Sequence, residues 1–343
     1  MSAVVEQPPA PARDEGYVHP SLLRAEFHRF RSRRFIQVLL AAALVGWLAA
    51  VVIGLFQFGE PDEGDLAAAR AEIAQMVEQQ EVWRQQCLDD APPGEEESFC
   101  GPEITAAEFR TEDFVGTAPF DLEQSASGGA MGFGAAAAAL AFLIGATWIG
   151  AEWSSRSVVA LLFWVPRRMQ VMGAKVTVLA VAAAALGVAA QLGWLAMAWI
   201  LRIAVGTDDP LPSGFWGDLL ATQGRCVLLV VFAALAGFGL ANLIRNTGAA
   251  LGVGFVYFAI VENAVRVMRP EWQPALLTNN AAALVAPGGL RIVDYENFTV
   301  DADGNQVFEE FVIGNLQAGI VLGVVAAVVI GLGVLLFQRR DVH

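Results

Sequence analysis

The stretch FIQVLLAAALVGWLAAVVIGLFQF, residues 35–58, carries no charge over 24 positions. At 1.5 Å per residue it reaches across a hydrocarbon layer of about 30 Å with some tilt. Soluble core helices rarely stay free of charge for so long. Thirty-four residues precede the stretch, it is long for a signal-peptide core, and no convincing cleavage site follows it. It therefore reads as a retained anchor.

Five further apolar segments follow: Gly129 to Ala151, Val176 to Leu201, Cys226 to Ile244, a fifth beginning at Gly248, and Phe311 to Phe337. The fourth and fifth are separated only by the polar turn Asn242-Leu243-Ile244-Arg245-Asn246-Thr247. Of the 343 residues, 56% are hydrophobic and only 16% charged. A soluble surface needs about 25% charged residues. The predicted fold class is an all-α polytopic membrane protein with six transmembrane helices, residues 35–343 forming the spanning domain.

Charge sets the expected orientation. Residues 1–34 hold six Arg and four acids, and 151–175 hold Arg156, Arg167, Arg168 and Lys175 against Glu152. Arg245 and the tail Arg339-Arg340-Asp341 lie on the same side of a six-span chain. The other side carries residues 60–127, with three Arg against eighteen acids, and the acidic segment 262–312. Basic short loops mark the cytoplasm, so both termini are expected there. The net charge of −14 comes from the opposite face and gives no footprint for nucleic acid.

Residues 60–127 form the one sizeable extramembrane insertion. Leu66, Ile73, Met76, Val77 and Trp83 recur at helical spacing and predict one helix standing outside the bilayer. Cys87 and Cys100 follow, on the oxidising side by the charge argument. We expect them to form a disulfide around Pro92-Pro93-Gly94, the alternative being two free thiols. Cys226 lies in a span and reads as a small packing residue. Farther on, residues 272–286 are apolar enough to re-enter the membrane but too short to cross. Residues 297–311 read as a hairpin. Thr299, Asp301, Asp303, Gly304 and Glu310 fall loosely at calcium-loop spacing, without the helical flanks such a loop requires.

Several chemistries are excluded. Lys175 is the only lysine, and it lacks the glycine-rich context of a phosphate loop. The three histidines, His19, His28 and His343, lie in the expected cytoplasmic ends, so no histidine metal site or catalytic triad can form in the spans. Ionisable residues within the spans look scarce: Glu262 and Arg266 stand at the outer end of span five, four apart, and are expected to pair. No cofactor is expected on this chain, so any energy source must sit on another one.

The loop between spans two and three is the most specific feature. Ser154 or Ser155 can cap a helix, Val158, Leu161, Leu162 and Val165 form an apolar stripe, and Pro166 ends it before Arg167 and Arg168. This predicts a short amphipathic helix over 152–168; without a partner it would be a simple interfacial anchor.

Glu152, Leu161, Leu162, Pro166, Arg168 and Lys175 resemble, in order and spacing, the ABC-2 type transporter permease family. Ser157 departs from the pattern where a glycine is common. Residues 20–34, with Arg24 to Arg34, resemble the family's interfacial elbow helix, 1–19 being a disordered tail. Phe337 to Asp341 resembles the family's ending, and 272–286 its re-entrant segment. The resemblance implies a permease that dimerises with a second copy or a homologue. Two ATPase subunits would carry ATP and Mg and dock at the 152–168 coupling helix. With the amphipathic pattern it points to Glu152, Ser154, Arg156, Ser157, Arg167 and Arg168 as ATPase contacts, and it points to export; the Ala-rich, Lys-poor usage points to a bacterial plasma membrane. A second class stays open, a non-transporting sensor or assembly factor using 60–127. An intramembrane enzyme lacks candidate catalytic residues in the spans.

Overall fold

The computed structural model describes residues 22–91, 100–157, 168–300 and 306–339. It opens with α1 (Leu22–Arg31) and α2 (Arg34–Gln57), followed by α3 (Glu63–Asp90). The long helices α4 (Leu122–Ser154), α5 (Arg168–Val205) and α6 (Phe215–Ile244) come next. Then come α7 (Thr247–Met268), α8 (Leu277–Val285), strands β1 (Leu290–Val300) and β2 (Gln306–Ile313), and α9 (Asn315–Arg339). Six of these, α2, α4, α5, α6, α7 and α9, are long and apolar enough to cross a membrane. The chain is therefore a multi-pass membrane protein in its architecture.

Two ends of the bundle can be told apart by what they carry, one by α1 and the other by α3. At the α3 end, Asp62 caps α3 by accepting from Asp65 N at 2.8 Å, while the Asp65 side chain accepts from Asp62 N at 3.2 Å. Ala69 and Ile73 are buried against the turn Thr111–Phe114, but Trp83 is 75% exposed. Cys87, in the last turn of α3, is disulfide-bonded to Cys100. The chain returns to the bundle at Phe120, whose backbone bonds Val205 and Thr207.

The core is the α4–α6 pair. With no hydrophobic force to separate helices from lipid, such pairs rely on close backbone approach at small residues. A Cβ at Gly145 would land on the Ala234 carbonyl oxygen, and one at Gly237 on the Phe142 carbonyl oxygen. Gly134 packs on Cys226 of α6. Gly132, Ala135, Ala136 and Ala139, by contrast, lie on an exposed face of α4. α2 stands at the periphery, attached where Trp47 Nε1 donates to the Gly193 carbonyl at 2.9 Å and where Gly54 meets Leu201.

Several expected boundaries move. α4 starts at Leu122 and α5 spans 168–205, both longer than their charge-free segments. α6 begins at Phe215, so Asp218 and Arg225 belong to a spanning helix rather than to a loop. Phe311 to Ile313 pair in β2 instead of opening the last span, which starts at Asn315. The hairpin itself is longer than its turn suggested, with Leu290 opposite Ile313 and Val300 opposite Gln306. The calcium-like spacing runs through residues 301–305, outside the described residues. In α7 the helix loosens into a π-turn at Tyr257–Val261.

Within 272–286, a 3-10 turn at Pro270–Ala275 leads into α8, which lies against α9 and α6. Both ends of α8 are tied by side chains. Glu262, fully buried, accepts from Thr278 N at 3.1 Å, and Asn315 Nδ2 donates to the carbonyls of Ala283, Leu284 and Ala286. Arg266 pairs with Glu262 at 3.4 Å as its spacing predicts, and also donates to Thr278 Oγ1 at 2.8 Å.

Candidate docking face at the α1 end

Three helices, α1, α4 and α5, converge on one buried ammonium group. Lys175 lies two turns into α5 and is fully buried. Its Nζ is 2.6 Å from Glu26 Oε2 on α1 and 2.8 Å from Glu152 Oε2 on α4. Glu26 is fully buried and Glu152 is 4% exposed. Each carboxylate holds a second cation. Arg33, between α1 and α2, donates to Glu152 Oε1 at 2.9 Å, and Arg29 Nη1 donates to Glu26 Oε1 at 3.2 Å. The indole of Trp148 lies beside the ammonium, its ring centroid 5.1 Å from Nζ.

Charges taken out of water lose solvation worth several kcal/mol each, so a cluster of this kind stands only when every charge is matched. Here two carboxylates face one ammonium and two guanidiniums at bonding distance. The local sequence explains the placement. In LLRAEFHRFR, Glu26 and Phe30 sit four apart on one face of α1 and are its buried residues, while Arg24, His28 and Arg31 point away. Phe30 packs edge-on against Trp148 at 5.1 Å between centroids.

A second layer ties the remaining helices. Arg168 Nη1 donates to the carbonyls of Phe337 and Gln338 at 3.0 and 3.2 Å, capping the end of α9 where the helix dipole favours a cation. Trp153 Nε1 donates to Asn242 Oδ1 of α6 at 3.0 Å. Arg245 stacks over the Trp153 ring at 4.3 Å. α1, α4, α5, α6 and α9 are thereby joined around the two described ends of the 158–167 loop.

The residues read from the sequence as contacts divide into three groups. Ser154, Arg156 and Ser157 are exposed. Glu152 and Arg168 point into the protein, at the ion cluster and at the end of α9. Arg167, with Val158, Leu161, Leu162, Val165 and Pro166, lies outside the described residues. Ser154 and Ser155 do not start a new helix. Both donate to the Ala151 carbonyl, at 3.0 and 2.8 Å, and close the end of α4. The chain then turns at Arg156, which adopts φ 55°, a left-handed conformation uncommon for a residue with a Cβ. Arg156 and Ser157 are exposed at that turn, and the Ser157 hydroxyl donates back to the Glu152 carbonyl at 3.5 Å.

The expectation that the spans hold almost no ionisable groups is corrected here. Lys175, Glu152 and Arg225 all belong to spanning helices. Sequence reading missed Glu26 because it sits in an Arg-rich stretch that looks wholly superficial. Its solitary position among five arginines, four residues before a buried Phe, was the available sign.

No family model matches the chain, and no curated protein matches it.

Proposed function

We propose that this chain is the membrane-spanning subunit of an ATP-binding-cassette exporter in a bacterial plasma membrane. It works as a dimer with a second copy or a homologous permease, and two separate ATPase subunits drive it. Both termini face the cytoplasm, and α1 is the interfacial elbow. The exposed turn at Ser154, Arg156 and Ser157, leading into 158–168, is the docking element for the ATPase. ATP and Mg belong to that partner.

The observation that carries this reading is the buried Glu26–Lys175–Glu152 cluster. It fastens the elbow helix to α4 and α5, the two spans that flank the loop. A pull on the loop cannot stay local, because both of its anchoring helices share one ammonium with α1. Rigid-body tilting of spans needs such a rigid joint. The cluster also gives a physical reason for an acid before the loop and a lysine after it. The Cys87–Cys100 disulfide fits an oxidising compartment at the α3 end. The excess of basic residues at the α1 end agrees with a cytoplasmic face.

The alternative reading, a sensor or assembly factor working through 60–127, draws on the exposure of Trp83 and Val82 on α3. The two readings separate on one assay. The cassette ATPase encoded nearest this chain is co-purified with it, and ATP hydrolysis is measured with and without the membrane subunit. Stimulated hydrolysis that Arg156→Glu abolishes supports transport coupling. Hydrolysis indifferent to the chain, or a complex indifferent to Arg156→Glu, contradicts it.

A further inference from the structure

α1 presents three ridges in rotational order, and the ion cluster uses only the first. Glu26 and Phe30 are buried. Beside them stand Leu23 and Phe27, one turn apart, 45% and 46% exposed. The third ridge is Arg24, His28 and Arg31, one turn between each, and all three are exposed. Glu26 is the sole acid among residues 22–34, and Lys175 and Arg29 hold it. The exposed surface of this segment therefore carries Arg24, Arg31 and Arg34 and no carboxylate.

Two neighbours fix the depth of α1. Lys175, which holds Glu26 at 2.6 Å, immediately precedes the charge-free run 176–201 of α5. Arg34, just past the end of α1, immediately precedes the charge-free run 35–58 of α2. Such runs mark the hydrocarbon layer, so α1 is tied at its middle and beyond its end to the edge of that layer. Phe35, the first apolar residue of α2, is exposed there as well. Leu23 and Phe27 therefore stand where acyl chains meet headgroups, with a basic ridge beside them. A helix with an apolar strip and a basic strip at that depth lies in the plane of the interface.

We propose that α1 binds anionic phospholipid in the leaflet at its end of the bundle. Leu23 and Phe27 dip among the acyl chains, and Arg24 and Arg31 meet the headgroup phosphates. Guanidinium forks match phosphate oxygens in geometry as well as charge. A zwitterionic head brings its own cation and leaves the basic ridge unbalanced. An acidic protein surface would suit the arginines but would hold Leu23 and Phe27 against polar groups, so lipid is the occupant that satisfies both ridges. A basic side chain near an anionic membrane surface strengthens binding by about fivefold, and the effect fades within a Debye length. The proposal rests on the reading of α1 as an interfacial helix and names the lipid it selects. It needs no ATPase.

The test reads lipid choice at α1 itself. Ser32 is exposed, while Cys226 is buried and Cys87 and Cys100 are bonded to each other, so a fluorophore goes to Ser32→Cys alone. The labelled full chain is placed in phosphatidylcholine nanodiscs containing spin-labelled phosphatidylglycerol or spin-labelled phosphatidylcholine at equal mole fraction, and quenching gives the relative affinity of the two lipids. Phosphatidylglycerol should be preferred at least tenfold at low salt and less at high salt. Arg24→Gln with Arg31→Gln should bring the preference close to one. Arg24→Lys with Arg31→Lys should retain most of it, which separates loss of charge from loss of structure. Leu23→Gln with Phe27→Gln should reduce quenching by both lipids. Equal quenching by the two lipids in the parent, or a preference that survives the paired Gln substitution at Arg24 and Arg31, overturns the lipid assignment and leaves α1 at the interface. A label that neither lipid quenches overturns the interfacial reading as well.

Discussion

Lys175 shows how much can rest on one side chain. It is the only lysine in the chain, it is fully buried, and it holds two carboxylates from two other helices. Lys175→Met leaves Glu26 and Glu152 each with only a partly exposed guanidinium, and breaking a buried ion pair in this way costs about 3–5 kcal/mol. The expected outcome is a marked fall in the melting temperature of the detergent-solubilised chain. Adding Glu26→Gln and Glu152→Gln should restore most of it, since no unmatched charge then stays buried. A lone Lys175→Met variant that melts with the parent would show that the cluster carries no load. Arg156 is different in kind. It is exposed and sits at positive φ, so Arg156→Glu should leave the melting temperature unchanged and act only on partner binding. The sequence made the solitary lysine conspicuous and marked Glu152, but it could not pair either with Glu26, because that contact spans 149 positions and depends on how α1 folds back.

At the scale of elements, helix existence was legible and helix length was not. A charge-free run reports the hydrocarbon layer. A helix is held by its own backbone bonds and by neighbours, and it continues into the headgroups. α6 therefore starts at Phe215, well before the apolar run at Cys226, and Arg225 hides inside it. The hairpin was recognised from its turn, yet its outer pairs from Leu290 to Ile313 were invisible to turn chemistry. Small residues in α4 were legible as packing positions, but not their direction. The structure sends Gly134 and Gly145 to α6 and leaves Gly132 on an open face. This separates two substitutions. Gly237→Val drives a side chain into the Phe142 carbonyl, and overpacking against backbone costs about 1–3 kcal/mol or more, read as a lower melting temperature. A Cβ at Gly132 meets no atom of another element within 4 Å, so Gly132→Val should leave the melting temperature of the single chain nearly unaltered. If it instead shifts the oligomer to a smaller species on gel filtration, that face of α4 contacts the second copy.

On the scale of the whole molecule, the two ends of the bundle differ in charge and in what they carry. The α3 end carries the acidic insertion, the disulfide and the α8 helix pinned by Glu262 and Asn315. The α1 end carries the basic rim and the ion cluster. The placement of acidic and basic residues between the apolar segments made the charge difference legible. The tertiary joint between α1, α4 and α5 had to come from the structure. A disulfide closing a loop of this size contributes about 3 kcal/mol in the chain-entropy model. Cys100→Ser should therefore lower the melting temperature of the chain. A reducing agent should lower the parent to the same value and leave the variant where it is.

On the proposed function, the α1 end receives work from a separate ATP-hydrolysing subunit. The most direct test places a single cysteine at Ser157, in a chain whose Cys87–Cys100 bridge is intact, and crosslinks it to the co-purified cassette ATPase before and after ATP is added. The expected result is a crosslink to the ATPase whose yield changes with nucleotide and which Arg156→Glu suppresses. A cysteine at position 157 that never reaches the ATPase, while one at Trp83 on α3 does, would contradict it.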